Sequence, residues 1–195
     1  ATGRGALALT AGVVYGFVRT RPGLDSPDMQ FHMAHASYGS AQTRQLEKEP
    51  GMTVVIGQCR PDSRGQLQIR STDPFAAPRI EPRYFDQEID RKTMVAGLEM
   101  LREIYRQPAF KDLWDTETMP GPEFSTRPQL WEFARSRGGT VFHPVGTCKM
   151  GRADDEMTVV DSELKVKGVQ GLRVVDASVM PLSLRHGSHL PKMLF

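Results

Sequence analysis

The 195-residue sequence predicts an α+β fold: a mostly antiparallel sheet flanked by helices, followed by a carboxyl-terminal segment of different character. Three observations predict it. Short apolar or alternating runs of strand length occupy the stretch from Ala11 to Ser71. Apolar residues then recur at helical spacing between Met94 and Tyr105, and again around Leu130, Phe133 and Ala134. Beyond Gly139 the character changes, and the chain becomes a series of short motif-like pieces.

Taken in order, Ala11 to Arg19 carries Val13, Val14, Tyr15, Phe17 and Val18 and ends at the breaker run Arg21-Pro22-Gly23, as a strand would. Asp28 to Ala34 alternates Met29, Phe31 and Met33 against Gln30 and His32, a half-buried strand pattern. Met52 to Cys59 is a third apolar strand. Gln66 to Ser71 alternates again, with Leu67 and Ile69 expected inward. The turn residues Pro61-Asp62-Ser63-Arg64-Gly65 between these last two runs predict an antiparallel hairpin. Asp73 to Pro82 reads as a connection. Met94, Val95, Leu98, Leu101 and Tyr105 form the apolar stripe of a helix that Pro108 stops. Thr126-x-x-Gln129, with Pro128 in the first turn, is a capping box opening a second helix that ends at Gly138-Gly139. Val166 to Gly171 reads as a strand and tight turn. Leu172 to Asp176 is a β-rich run that ends on an acid and could present that carboxylate to a polar ligand.

Composition narrows the function classes. Hydrophobic residues at 39%, charged residues at 25% and a net charge of +2 lie near the averages for soluble globular proteins, and the arginines are interleaved with acids. No nucleic-acid partner is expected. No apolar run approaches the roughly 20 residues of a membrane-spanning helix, and Ala1 to Thr10 lacks the pattern of a signal peptide. Cys59 and Cys148 do not make a disulfide framework in a chain of this size, so a reducing compartment, the cytoplasm, is expected. The sequence begins at Ala1 without a methionine, from which we expect polypeptide upstream.

Several side chains could carry chemistry. His143 stands in Val141-Phe142-His143-Pro144-Val145-Gly146-Thr147, where the proline biases it toward extended backbone and Gly146 permits a tight turn. It reads either as a general base, since imidazole accepts a proton near neutral pH, or as a structural hydrogen-bonder. His186 and His189 lie in a polar loop ahead of Pro191, which could open a helix whose amides favour negative charge. A capped loop with exposed histidines is the alternative. His143, Cys148, His186 and His189 supply enough donors for a metal, but their spacing matches no zinc pattern, so no metal site is expected. His32 and His35 would project to opposite faces of a strand.

Together these motifs resemble the carboxyl-terminal part of the glucose-methanol-choline (GMC) oxidoreductases, most closely the choline-dehydrogenase-like alcohol dehydrogenases. The resemblance is carried by Thr2-Gly3-Arg4-Gly5, Ser63-Arg64-Gly65, Ser71-Thr72-Asp73-Pro74 and His143-Pro144-Val145-Gly146-Thr147-Cys148-Lys149-Met150-Gly151. It continues through Val160-Asp161, the run Gly168 to Ser178, and Met180-Pro181, with order and spacing kept over essentially the whole chain.

The resemblance implies that residues 1–139 form a substrate-binding domain, an antiparallel sheet flanked by helices, and that 140–195 returns to complete an FAD-binding α/β domain and the active site. It implies an FAD-dependent enzyme that oxidises a small-molecule alcohol to a carbonyl by hydride transfer. His143 would be the base, and His189 would fall at the second catalytic position, with His186 as its rival. Asp176 and Ala177 would lie beside the flavin's linker and pyrophosphate, and Leu190 and Pro191 would approach its ring. The family's glycine loop, G-x-G-x-x-G after a first strand, is absent from all 195 residues, so the chain by itself is not expected to hold FAD or to turn over. The alternative is a free-standing, non-catalytic substrate-type binding domain without flavin. A lone part of such an enzyme would leave apolar surface, so a homo-oligomer is also among the expectations.

Overall fold

A computed structural model describes residues 12–38, 45–113, 115–140 and 142–181. Strands β1 (Val14–Val18), β2 (Met29–Ala34) and β3 (Thr53–Gln58) form one antiparallel sheet in the order β1-β2-β3, as the alternating runs predict. The register pairs Phe31 with Gly16 and Ile56, and Gln30 with Phe17 and Gly57. Side chains alternate across a strand, so Met29, Phe31 and Ile56 share one face and Gln30, Phe17 and His32 the other.

The first face is the core face. Met29 and Ile56 are fully buried, together with Met94, Val95 and Leu98 of α1 (Glu88–Tyr105). A Cβ added at Gly97 would come within 2.6 Å of the Met29 ε-carbon, so a glycine here lets α1 lie close on the sheet. The helix starts earlier than its apolar stripe, with Glu88 and Asp90 in the first turn and Arg102 in the last, charges that suit the helix dipole. Arg102 is also a tether. Its guanidinium holds both carboxylate oxygens of Glu117 and the carbonyls of Gly121 and Phe124 at 2.6–3.1 Å. The second helix, α2 (Arg127–Arg137), has the expected capping box: Thr126 accepts from the Gln129 amide and Gln129 accepts from the Thr126 amide. Its Leu130, Phe133 and Ala134 are buried.

The expected hairpin between β3 and the next strand is not formed. β4 (Gln66–Gln68) pairs instead with β5 (Arg79–Glu81), inside the stretch read as a connection, to make a separate two-stranded sheet. The turn residues are engaged elsewhere. The amides of Asp62 and Ser63 donate to the Asp90 carboxylate at 2.8 and 2.7 Å, and the Ser63 hydroxyl also binds it. The Gln87 amide donates back to that hydroxyl at 3.0 Å, so the chain is drawn to the start of α1 rather than folded onto β3. Gly65 then passes backbone to backbone, where a Cβ would come within 2.7 Å of the Pro82 carbonyl oxygen. Leu67 and Ile69 are not inward, being 50% and 90% exposed.

Two compact units emerge. One combines the chain up to Cys59 with Arg91–Val141; the other combines Arg60–Asp90 with the described residues from Phe142 onward. In the second, the predicted strands after Gly139 reduce to isolated bridges: Met150 with Val160, Val160 with Val166, and Lys165 with Arg173. Positive φ at Leu164, Gly168 and Gly171 interrupts the extended backbone too often for a ladder to propagate. Val160, shared by two bridges, is fully buried. Cys59 and Cys148 are both free thiols.

Candidate active site

The site is built in the second unit from two segments distant in sequence. The first begins at Phe142, whose φ of +61° puts a bulky residue in the left-handed region. Its side chain is 74% exposed, so no burial accounts for this strain, and such outliers cluster at functional positions. His143 follows, half-buried, ahead of Pro144. Gly146 at φ +87° turns the chain, and Lys149 closes that turn with a bond to the Gly146 carbonyl at 3.2 Å.

The second segment is the single 3-10 turn Ala177–Val179, capped by Asp176. Oδ1 of Asp176 accepts from the Ser178 amide at 2.8 Å and from its hydroxyl at 2.5 Å. The Ser178 hydroxyl, then its amide, hold the Asp176 carboxyl below the ordinary aspartate range. The two segments are bonded directly: Cys148 donates to the Ser178 carbonyl at 3.0 Å, and Met150 to that of Val179 at 2.8 Å. The loop of His143 is thereby fixed to the segment that carries Asp176 and Ala177. Neither the strained Phe142 nor this pairing was visible in the sequence, since one is a backbone angle and the other a non-local contact.

Asp176 and Ala177 are both exposed. Oδ2 of Asp176 is not used by the cap, and the Ala177 amide opens the turn and so is not consumed by it. An acceptor suited to a hydroxyl donor thus stands beside a donor suited to a phosphate oxygen. These two positions fit the edge of a dinucleotide cofactor, not the whole of it. His189, its rival His186, Leu190 and Pro191 lie outside the described residues. A depression of about 450 Å³ on Asp161 and Lys165–Arg173 includes none of His143, Asp176 and Ala177, and we attach no chemistry to it.

Residues 61–195 match the family model of GMC oxidoreductase. The chain belongs to that family. Among GMC relatives, a GMC-type oxidoreductase of Mycobacterium tuberculosis is 41% identical over 98% of this chain and 36% of its own length. Choline oxidase of Arthrobacter globiformis is 42% identical over 85% of this chain and 31% of its own. Among solved structures, pyridoxine 4-oxidase from Mesorbium loti superposes with a TM-score of 0.77 at 25% identity, over 90% of this chain and 34% of that one. An FAD-dependent oxidoreductase from Chaetomium thermophilum does so with a TM-score of 0.66 at 30% identity, over 82% and 25%. The chain therefore spans about a third of the length of the curated relatives it matches. Its antiparallel sheets and two helices are the carboxyl-terminal part of the GMC fold. No helix among the described residues is long and apolar enough to cross a membrane.

Proposed function

We propose that this chain is the carboxyl-terminal part of an FAD-dependent enzyme that oxidises a small alcohol to a carbonyl, with His143 as the base. One observation carries the reading: the loop of His143 is bonded, through Cys148 and Ser178, to the segment of Asp176 and Ala177, which fits one edge of the cofactor. In this reading residues 1–139 contribute the substrate side and 140–195 the flavin side, in a reducing compartment such as the cytoplasm.

FAD, when bound, supplies the hydride acceptor. Asp176 would accept from a hydroxyl of the linker and the Ala177 amide would donate to the pyrophosphate, and Leu190 and Pro191 are the further residues we assign to holding the cofactor. The imidazole of His143 takes the hydroxyl proton as the carbinol carbon loses its hydride, so that the alcohol loses two electrons and two hydrogens to become a carbonyl. His189 orients the developing alkoxide and offsets its charge. The glycine-rich phosphate loop is not in this sequence, so the chain alone is expected to stay colourless when mixed with FAD.

The test is single-turnover flavin reduction by an alcohol in the FAD-bound enzyme that contains this chain. His143→Ala should slow reduction by roughly 10²–10⁴-fold, the range of general-base catalysis. An unchanged rate ends the assignment.

A further inference from the structure

The segment that follows the His143 loop is held from two sides. On one side Cys148 and Met150 donate to the carbonyls of Ser178 and Val179, as described above. On the other, the Val159 amide donates to the Lys149 carbonyl at 2.9 Å and the Gly151 amide to the Val160 carbonyl at 3.1 Å. Between these two bonds the chain makes an acidic loop, Arg152-Ala153-Asp154-Asp155-Glu156-Met157-Thr158. Lys167 closes that loop from within. Its Nζ donates to the carbonyls of Arg152 and Asp155 at 2.5 and 3.1 Å and to the Thr158 hydroxyl, while its backbone amide donates to the Val159 carbonyl at 2.9 Å.

An ammonium has three donors and no acceptor, so these three oxygens take all that it can give. Lys165, two residues away, shows the ordinary alternative, an exposed ion pair with Glu163. Fixing a long lysine side chain in one geometry costs rotamer entropy, so the clamp must return more than a solvated lysine would. It is also coupled to the segment behind it. Thr158 is buried, and a Cβ added at Gly151 would collide with its methyl, so the closed loop packs directly on residues 148–151. Lys149 adds an ion pair to Asp155 at 3.6 Å. Backbone pairing here is sparse, since Met150, Val160 and Val166 meet only in isolated bridges. A segment with so few ladder bonds opens easily unless side chains hold it.

We propose that Lys167 is a positioning residue: by closing the 152–158 loop it holds residues 148–151 against Ser178 and Val179, and thereby fixes His143 relative to Asp176 and Ala177. Its importance to the reaction rests on the reading of His143 given under Proposed function. Lys167 acts only through the backbone that it clamps.

The test is Lys167→Met, which keeps the apolar stem and removes the ammonium. In the chain itself, amide exchange at Cys148 and Met150 should accelerate by roughly tenfold, the effect of about one net hydrogen bond. Exchange at Asp62 and Ser63, latched to Asp90 in the same unit, should not change. Thr158→Val removes one of the three acceptors and should accelerate the same two amides by a smaller factor. In the FAD-bound enzyme, flavin reduction by the fastest of ethanol, choline and benzyl alcohol should slow by about tenfold at saturation. The Kd of that alcohol should stay the same, because the substrate side is assigned to residues 1–139. Unchanged exchange at Cys148 and Met150 in both variants overturns the proposal. So does equal acceleration at all four amides, the mark of a general loss of stability, or an undiminished reduction rate while the two amides loosen. Failure of the underlying reading looks different: His143→Ala would reduce flavin at the full rate, whereas exchange at Cys148 and Met150 would still report on the clamp.

Discussion

The amide of Cys148 donates to the carbonyl of Ser178 at 3.0 Å, and this bond joins two motifs separated by a long stretch of chain. The pairing depends on the turn before it. Gly146 sits at φ +87°, and a Cβ there would lie 3.4 Å from the Met180 carbonyl oxygen. The left-handed conformation therefore matters more than the space. Gly146→Ala is expected to cost about 1–2 kcal/mol, the usual penalty for an L-residue in that region. Denaturant unfolding of the chain measures it, and an unchanged midpoint would mean that the turn reshapes freely.

Two other glycines should behave differently from each other. At Gly65 an added Cβ meets the carbonyl oxygen and Cα of Pro82 at 2.7 and 2.8 Å, backbone atoms that cannot step aside. At Gly97 it meets the ε-carbon of Met29, the far end of a flexible side chain, and the substitution also gains about 1 kcal/mol of helix propensity. Gly65→Ala should cost about 2 kcal/mol or more, in the range of overpacking, and Gly97→Ala should stay within about 1 kcal/mol of neutral. Parallel unfolding curves decide; equal losses would refute the distinction.

Asp90 is 2% exposed and takes the amides of Asp62 and Ser63 as well as the Ser63 hydroxyl. Asp90→Ala leaves those donors unpaired and should cost about 3 kcal/mol, the range for losing hydrogen bonds to a charged acceptor. Amide exchange at Asp62 and Ser63 should accelerate along with the loss of stability. Protection that persists at both amides would show that another group can replace the carboxylate.

These latches explain which parts of the fold were legible in the sequence. β1, β2 and β3 follow from alternation because one face of that sheet is a true core, and the capping box of Thr126 and Gln129 is a purely local signal. β5 was missed because Arg79-Ile80-Glu81 is short, flanked by prolines and half polar. The supposed hairpin failed because Asp90, which reads as an ordinary acid in a helix's first turn, captures the turn residues from far along the chain. The site divides in the same way. His143, Asp176 and Ala177 were legible as motif positions, whereas the bonds that join their segments are non-local and leave no periodic trace.

The Asp176 carboxyl is held below its ordinary range, chiefly by the Ser178 hydroxyl and then by the Ser178 amide. A carboxyl depressed in the folded state stabilises above the unfolded aspartate value of about 3.9, and that contribution disappears as pH falls through the lower folded value. The 3-10 turn at Ala177–Val179 should therefore loosen only in acid, below about pH 4. Carbon-detected NMR titration of the Asp176 carboxyl should show the lowered midpoint, and Ser178→Ala should return it toward the ordinary range. A midpoint that ignores Ser178 would remove the cap from the account.

Phe142 tests whether the strain beside His143 has a use. Its φ of +61° suits glycine, and its ring is 74% exposed, so Phe142→Gly forfeits little burial. Relief of left-handed strain, about 1–2 kcal/mol, opposes the extra freedom that glycine gives the unfolded chain, about 0.5–1 kcal/mol. Stability should thus stay within about 1 kcal/mol of the unsubstituted chain, or rise slightly. Function should not stay the same. If His143 is the base proposed above and the fixed backbone at Phe142 sets the direction in which it leaves the loop, freeing that backbone misplaces the imidazole, and misplacement by about 1 Å can cost up to about 10²-fold in rate. Stopped-flow reduction of the FAD-bound enzyme should slow by about tenfold or more with the thermal midpoint held. A stable variant with an undiminished rate would make the strained angle incidental to catalysis, and a variant that loses several kcal/mol would show that the ring, not the angle, holds the loop.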